Sequence, residues 1–87
     1  MASQEELVLR RLKQRVSYSI GNRIQKLRES QNLSQVDLAS KMLGKFDTTN
    51  ISRLESGRTN PTLLTLVRIA DALEIELKEL LNYDLEI

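Results

Sequence analysis

Apolar residues recur along the first third of the chain at spacings of three and four: Leu9, Leu12, Val16, Ile20, Ile24 and Leu27. That period places them on one stripe of a helix. Ser3-Gln4-Glu5-Glu6 ahead of the stripe fits a capping box, with Ser3 at the N-cap and Glu6 at N3. The pattern predicts one long helix to Gln31, or two helices broken near Ser17 to Ser19. Gly21 inside it weakens the helix by ~1 kcal/mol relative to alanine. Asn32-Leu33-Ser34 reads as a stop followed by a start. Ser34 caps a second helix, Ser34 to Leu43, carrying Val36, Leu38, Ala39 and Met42, which Gly44 closes as a left-handed C-terminal residue. Asp47 caps a third helix, Thr48 to Ser56, with Ile51 and Leu54 facing inward and Gly57 as its stop. After the loop Arg58-Thr59-Asn60-Pro61, Thr62 caps a fourth helix whose apolar face is Leu63, Leu66, Val67, Ala70 and Leu73. A short fifth helix is expected over Leu77 to Leu81. Tyr83, Leu85 and Ile87 alternate with Asp84 and Glu86, as a frayed tail or a small edge strand would, the tail being preferred.

With three glycines and one proline in 87 residues, the composition agrees with an all-α chain of one domain's length. Cysteine and histidine are both absent. A disulfide framework, a Cys-based zinc site and the commonest general base therefore have no residues to use. Three aromatics, Tyr18, Phe46 and Tyr83, make no stacking platform for single strands. No Ser, Lys or carboxylate stands in a recognisable catalytic spacing and no glycine-rich phosphate loop occurs, so no catalytic, cofactor-binding or metal site is expected. No apolar run approaches the ~18 residues of a membrane span, and charges recur from Glu5 onward where a signal peptide would need an apolar core. A cytoplasmic protein without membrane or small-molecule partners is the expectation.

Net charge is only +1, but it is unevenly placed. Between Val8 and Arg28 stand seven cations (Arg10, Arg11, Lys13, Arg15, Arg23, Lys26, Arg28) and no anion. Between Asp71 and Ile87 stand six anions and a single cation, Lys78. Such polarity suits a protein that turns one end toward phosphates, and equally suits two ordinary solvated helix faces.

The second and third helices, joined by a tight turn, form a helix-turn-helix over residues 34–55. One side of the third is thin and polar: Thr48, Thr49, Asn50, Ser52 and Arg53. Short hydroxyl and amide groups let a helix approach base edges, and one Arg can grip guanine O6 and N7 with two hydrogen bonds. Any single threonine there is more readily a solvent-facing cap neighbour. The five together point to double-stranded DNA.

Ile20-Gly21-Asn22-Arg23-Ile24, Leu27-Arg28, Leu33-Ser34-Gln35, Asp37-Leu38-Ala39, Ile51-Ser52-Arg53-Leu54-Glu55-Ser56-Gly57, Asn60-Pro61-Thr62-Leu63 and Ala70-Asp71-Ala72-Leu73 resemble the Cro/phage-repressor (XRE-type) helix-turn-helix family. The resemblance covers Ile20 to Leu81. It implies a compact all-α, five-helix repressor-like domain over residues 20–82, an N-terminal helical extension over 1–19 and a tail over 83–87. It also implies a bacterial or phage transcriptional regulator, a repressor in the family's usual role, that binds pseudo-palindromic operators as a homodimer. By its pattern Thr48, Thr49 and Arg53 read bases, with Asn50 and Ser52 beside them. Ser34 and Gln35 at the second helix's start, and Ser56, Arg58, Thr59 and Asn60 after the third helix, meet phosphates.

Two features depart from the family pattern. Between Gln35 and Ile51 the chain is two residues longer, with the excess near Leu43-Gly44-Lys45. A longer second helix or a wider turn would absorb it, with Phe46 filling the buried turn position and Lys45 as an added phosphate contact. Residues 1–19 lie outside the pattern, and Arg10, Arg11, Lys13 and Arg15 either reach DNA or line a solvated helix. Leu64 stands where the family has a polar residue; with Ile75, Leu77 and Leu81 it forms a candidate dimer patch, or these residues close the small core. A two-fold dimer would set two reading helices ~34 Å apart. The alternative function is a protein-interaction module or antitoxin-type partner on the same scaffold. Within the DNA-binding class, a phage or mobile-element repressor, a controller of a restriction–modification operon and an antitoxin-type autoregulator remain open.

Overall fold

The computed structural model describes residues 1–84. Among these residues five helices follow one another: α1 (Gln4–Ser30), α2 (Gln35–Lys41), α3 (Thr48–Glu55), α4 (Leu63–Ala72) and α5 (Leu77–Leu80). No strand occurs among the described residues. Leu85, Glu86 and Ile87, the end of the expected tail or edge strand, lie outside them. Tyr83, just before, is half-buried and packs against the core.

Local chemistry starts four of the helices. The Ser3 Oγ accepts the Glu6 N–H at 3.1 Å, the Asp47 Oδ1 accepts the Asn50 N–H at 2.9 Å, and the Thr62 Oγ1 accepts the Thr65 N–H at 3.1 Å. At α2 the cap is reciprocal, for the Asp37 carboxylate also accepts the Ser34 N–H at 2.8 Å. Three of them end alike. Asn32, Gly57 and Glu74 take positive φ, and the next residue's N–H reaches back to Arg28, Arg53 and Ala70 carbonyls respectively. These bonds satisfy carbonyls that the helix ends leave over.

α1 is one unbroken helix. At ~1.5 Å per residue its length is about 40 Å, close to the molecule's longest extent of 42 Å. Only the later half of its apolar stripe is core. Ile20 and Ile24 are buried, whereas Leu9 is 57% exposed, Val16 is exposed and Leu12 half-buried. The other four helices gather around the later half, and the first turns of α1 run past them. Ile24, Leu38, Ile51, Leu54, Ile69, Leu73 and Leu80 are the large side chains buried completely, so every helix or its cap supplies at least one. Each contributes ~1.5–3 kcal/mol of burial.

The second helix is shorter than its pattern suggests. It stops at Lys41, and Met42 turns the backbone into the extended region. Gly44 does adopt φ +78°, but inside the turn rather than as the helix stop. The extra length therefore becomes a wide turn over residues 42–47, and the expectation of a helix to Leu43 is corrected. The turn is shaped from outside it: Arg68 on α4 donates from Nε to the Leu43 carbonyl at 2.8 Å, and its guanidinium lies 5.1 Å from the centre of the Phe46 ring. Phe46 is half-buried against the core, as expected of the turn position.

Candidate nucleic-acid interface

The position of α3 is set by contacts at its inner face and its C-terminal end. Ile51 and Leu54 bury the inner side. At the last turn Glu55 lies inside the domain and pairs with Arg28 of α1. The Arg28 Nε donates to Glu55 Oε2 at 2.6 Å and its Nη2 donates to Oε1 at 2.9 Å, with side chains only 10% and 4% exposed. The Arg28 Nη1 also donates to the Leu33 carbonyl at 2.7 Å, and Gln35 Nε2 donates to Glu55 Oε1 at 3.0 Å. One bidentate pair thus fastens α1, the 33–34 turn, α2 and α3 together. The hydrogen bond to Glu55 raises the Arg28 pKa above its ordinary value, and burial opposes that only in part.

Close backbone approach completes the seating. A Cβ on Gly21 would stand 2.1 Å from the Leu54 carbonyl oxygen, and one on Gly57 would stand 3.0 Å from Tyr18 Cα. α1 and the end of α3 touch main chain to main chain, which only a residue without a side chain permits.

Against this frame, the polar residues of α3 divide. Thr49, Ser52 and Arg53, at spacings of three and one, are exposed opposite Ile51 and Leu54. Thr48 and Asn50 are half-buried on the two flanks. The outward row is therefore narrower than the five-residue set suggested by composition. It carries two hydroxyls and a guanidinium, which can donate to and accept from base edges.

The expected phosphate-contacting residues fall into two groups. Lys45, Arg58 and Asn60 are exposed, and Thr59 is half-buried. The other three are also bonded within the fold, two to backbone and Gln35 to a side chain. Ser34 Oγ accepts the Asp37 N–H, and Ser56 Oγ donates to the Arg53 carbonyl at 3.2 Å. Gln35 spends one amide hydrogen on Glu55 and retains the other as a donor. The Ser34 hydrogen bonds hold the Asp37 carboxyl below the ordinary carboxylate range.

At least two of the seven cations in the basic run are tied into the fold. Arg28 is buried in its ion pair, and Arg23 donates twice to the Glu79 carbonyl, joining α1 to α5. The candidate dimer patch also divides. Leu64 and Leu81 are 68% and 44% exposed, while Ile75 and Leu77 are half-buried against the core.

Sequence reasoning missed Glu55, Arg28 as an internal residue, and Arg68. Arg28 had a visible signal, since it stands four and seven residues after Ile24 and Gly21 on the inward face of α1. Arg68 had none, because its partners lie more than twenty residues earlier.

A polar outward row on a short helix, a second helix braced across it and a shared internal ion pair define a helix-turn-helix DNA-binding unit. A helix-turn-helix family model matches residues 24–80, and the chain belongs to the Cro/phage-repressor (XRE-type) helix-turn-helix family of DNA-binding transcriptional regulators. Among solved structures it is similar to the restriction-modification controller protein C.AhdI from Aeromonas hydrophila, at 36% identity over 70% of this chain and 86% of that one, with a TM-score of 0.64. No curated protein matches. No helix among the described residues is long and apolar enough to cross a membrane.

Proposed function

We propose that the chain acts in the cytoplasm as a homodimer that reads a pseudo-palindromic duplex operator and regulates transcription by binding, without catalysis. The observation that carries this reading is the outward row Thr49, Ser52 and Arg53 on a helix whose opposite side is wholly buried. Such a helix enters a major groove with its N-terminal residues at base edges, Thr48 and Asn50 flanking. Ser34, Gln35, Lys45, Ser56, Arg58, Thr59 and Asn60 would fix its register on the phosphates. Leu64 and Leu81 would supply the exposed part of the dimer contact. The likeness to C.AhdI favours a restriction-modification controller among the three regulatory roles.

Selection from a random duplex pool tests this. The expected product is a site with two-fold symmetry and half-sites ~10 bp apart, bound with an affinity that falls steeply with salt. Absence of salt-sensitive duplex binding would replace the reading with that of a protein-interaction module.

A further inference from the structure

The first turns of α1 overshoot the core, and one side of them flanks the loop that follows α3. Arg10, Lys13 and Gln14 of α1 face Arg58, Thr59 and Asn60 across a cleft of about 330 Å³, floored by Ser17 and Gly57. Arg10, Lys13, Gln14 and Ser17 stand at spacings of three, four and seven residues, so they form one row on the helix. Continued toward the C-terminus, that row runs through Gly21, Ile24 and Arg28, the residues that meet α3 and the core. The direction of the row is thereby set by rigid contacts. Gly21 lies against the Leu54 carbonyl and Gly57 against the Tyr18 backbone. The extension cannot rotate about its axis without breaking those approaches.

Three cations, Arg10, Lys13 and Arg58, stand exposed around the cleft, and among the described residues no carboxylate lines it. Among the described residues none of the three is paired with an acid. Thr59, Asn60 and Gln14 add neutral donors. At ~30 Å³ per water, the cleft has the volume of roughly ten waters, enough for a phosphate group that keeps part of its hydration. Three like charges held around one cleft suit a bound anion.

We propose that this cleft is a second phosphate clamp, in which Arg10 and Lys13 of the N-terminal extension join Arg58 in gripping the DNA backbone beyond the part of the site read by α3. The proposal rests on the DNA-binding reading above. The extension thereby lengthens the footprint by non-specific contacts and adds nothing to sequence choice.

The test is the salt dependence of duplex binding by the full chain, comparing wild type with the Arg10→Ala/Lys13→Ala double variant. Both positions are exposed and helical, and alanine favours a helix, so the variant keeps its fold. Each phosphate contact contributes ~0.9 to the slope of log affinity against log salt. The double variant should lower the slope by about 1.8, so its affinity loss between 50 and 200 mM salt shrinks roughly tenfold. The reduction should be equal on selected and on unrelated duplexes. Lys78→Ala, at the acidic end, should leave the slope unchanged. Wild-type binding together with an unchanged slope in the double variant overturns this proposal alone. Absence of duplex binding by the wild type overturns it together with the reading on which it rests. A reduction confined to the selected site also overturns it, because it would make these residues sequence readers.

Discussion

Replacing Glu55 by alanine tests whether the fold of the reading unit depends on the internal ion pair. The substitution takes away the carboxylate that accepts two hydrogen bonds from the Arg28 guanidinium, at 2.6 and 2.9 Å, in a site where the Arg28 side chain is only 10% exposed. Removing one partner of a buried pair costs ~3–5 kcal/mol, most of it from the charge left behind. An 87-residue chain has a shallow interior that lets some water reach the guanidinium, so the lower end, ~3 kcal/mol, is the better figure. Domains of this size lose ~4–8 °C in Tm per kcal/mol, which predicts a fall of about 12–24 °C. Thermal and urea unfolding followed by circular dichroism measure it. Removing both charges with Arg28→Met/Glu55→Leu should recover most of the loss, because no charge then remains buried. A cost below ~1 kcal/mol for Glu55→Ala, the range of surface pairs, would overturn the role given to the buried pair. So would a double variant no more stable than the single one.

Gly21→Ala should destabilise the domain although alanine is the better helix former. The gain of ~1 kcal/mol in propensity is outweighed by a Cβ 2.1 Å from the Leu54 carbonyl oxygen, and a lower urea midpoint checks it. Glu74→Gly should act in the opposite sense, since Glu74 holds φ +56° at the end of α4. Relief of that conformation is worth about 1 kcal/mol, read as a higher Tm with duplex affinity unchanged. The Asp37 pKa is lowered by its bonds to Ser34, so the charge's stabilising effect is complete above the ordinary carboxylate range and is lost as pH falls through the lowered value. The stability gap between wild type and Asp37→Asn should therefore stay constant near neutrality and close in acid. A gap that widens in acid would contradict the assignment.

The helix starts were legible because caps are local. Ser3, Ser34, Asp47 and Thr62 each bond an amide three residues on. The wide turn was visible as surplus length near Gly44, yet its form was not. That form depends on Arg68 reaching back from α4 to Leu43 and stacking on Phe46. Charge was the least legible property. Arg28 and Arg23 counted toward a basic face, but each is bound to another helix, because residue type alone does not report burial. Periodicity likewise ran the α1 stripe back to Leu9 although the core begins at Ile20. A stripe shows which side of a helix is apolar and not how much of it is covered. For the residues proposed to read bases, the sequence marked a polar side of α3, and the burial of Ile51 and Leu54 narrows its outward row to Thr49, Ser52 and Arg53.

If the outward row of α3 reads bases, Arg53 carries its strongest donor. The most direct measurement is the complete single-base specificity profile of wild type and Arg53→Ala on the selected operator. The variant should lose ~1–3 kcal/mol on that operator, and discrimination should relax at one base pair in each half-site. A variant with the wild-type profile, whatever its overall affinity, would show that Arg53 reads no base.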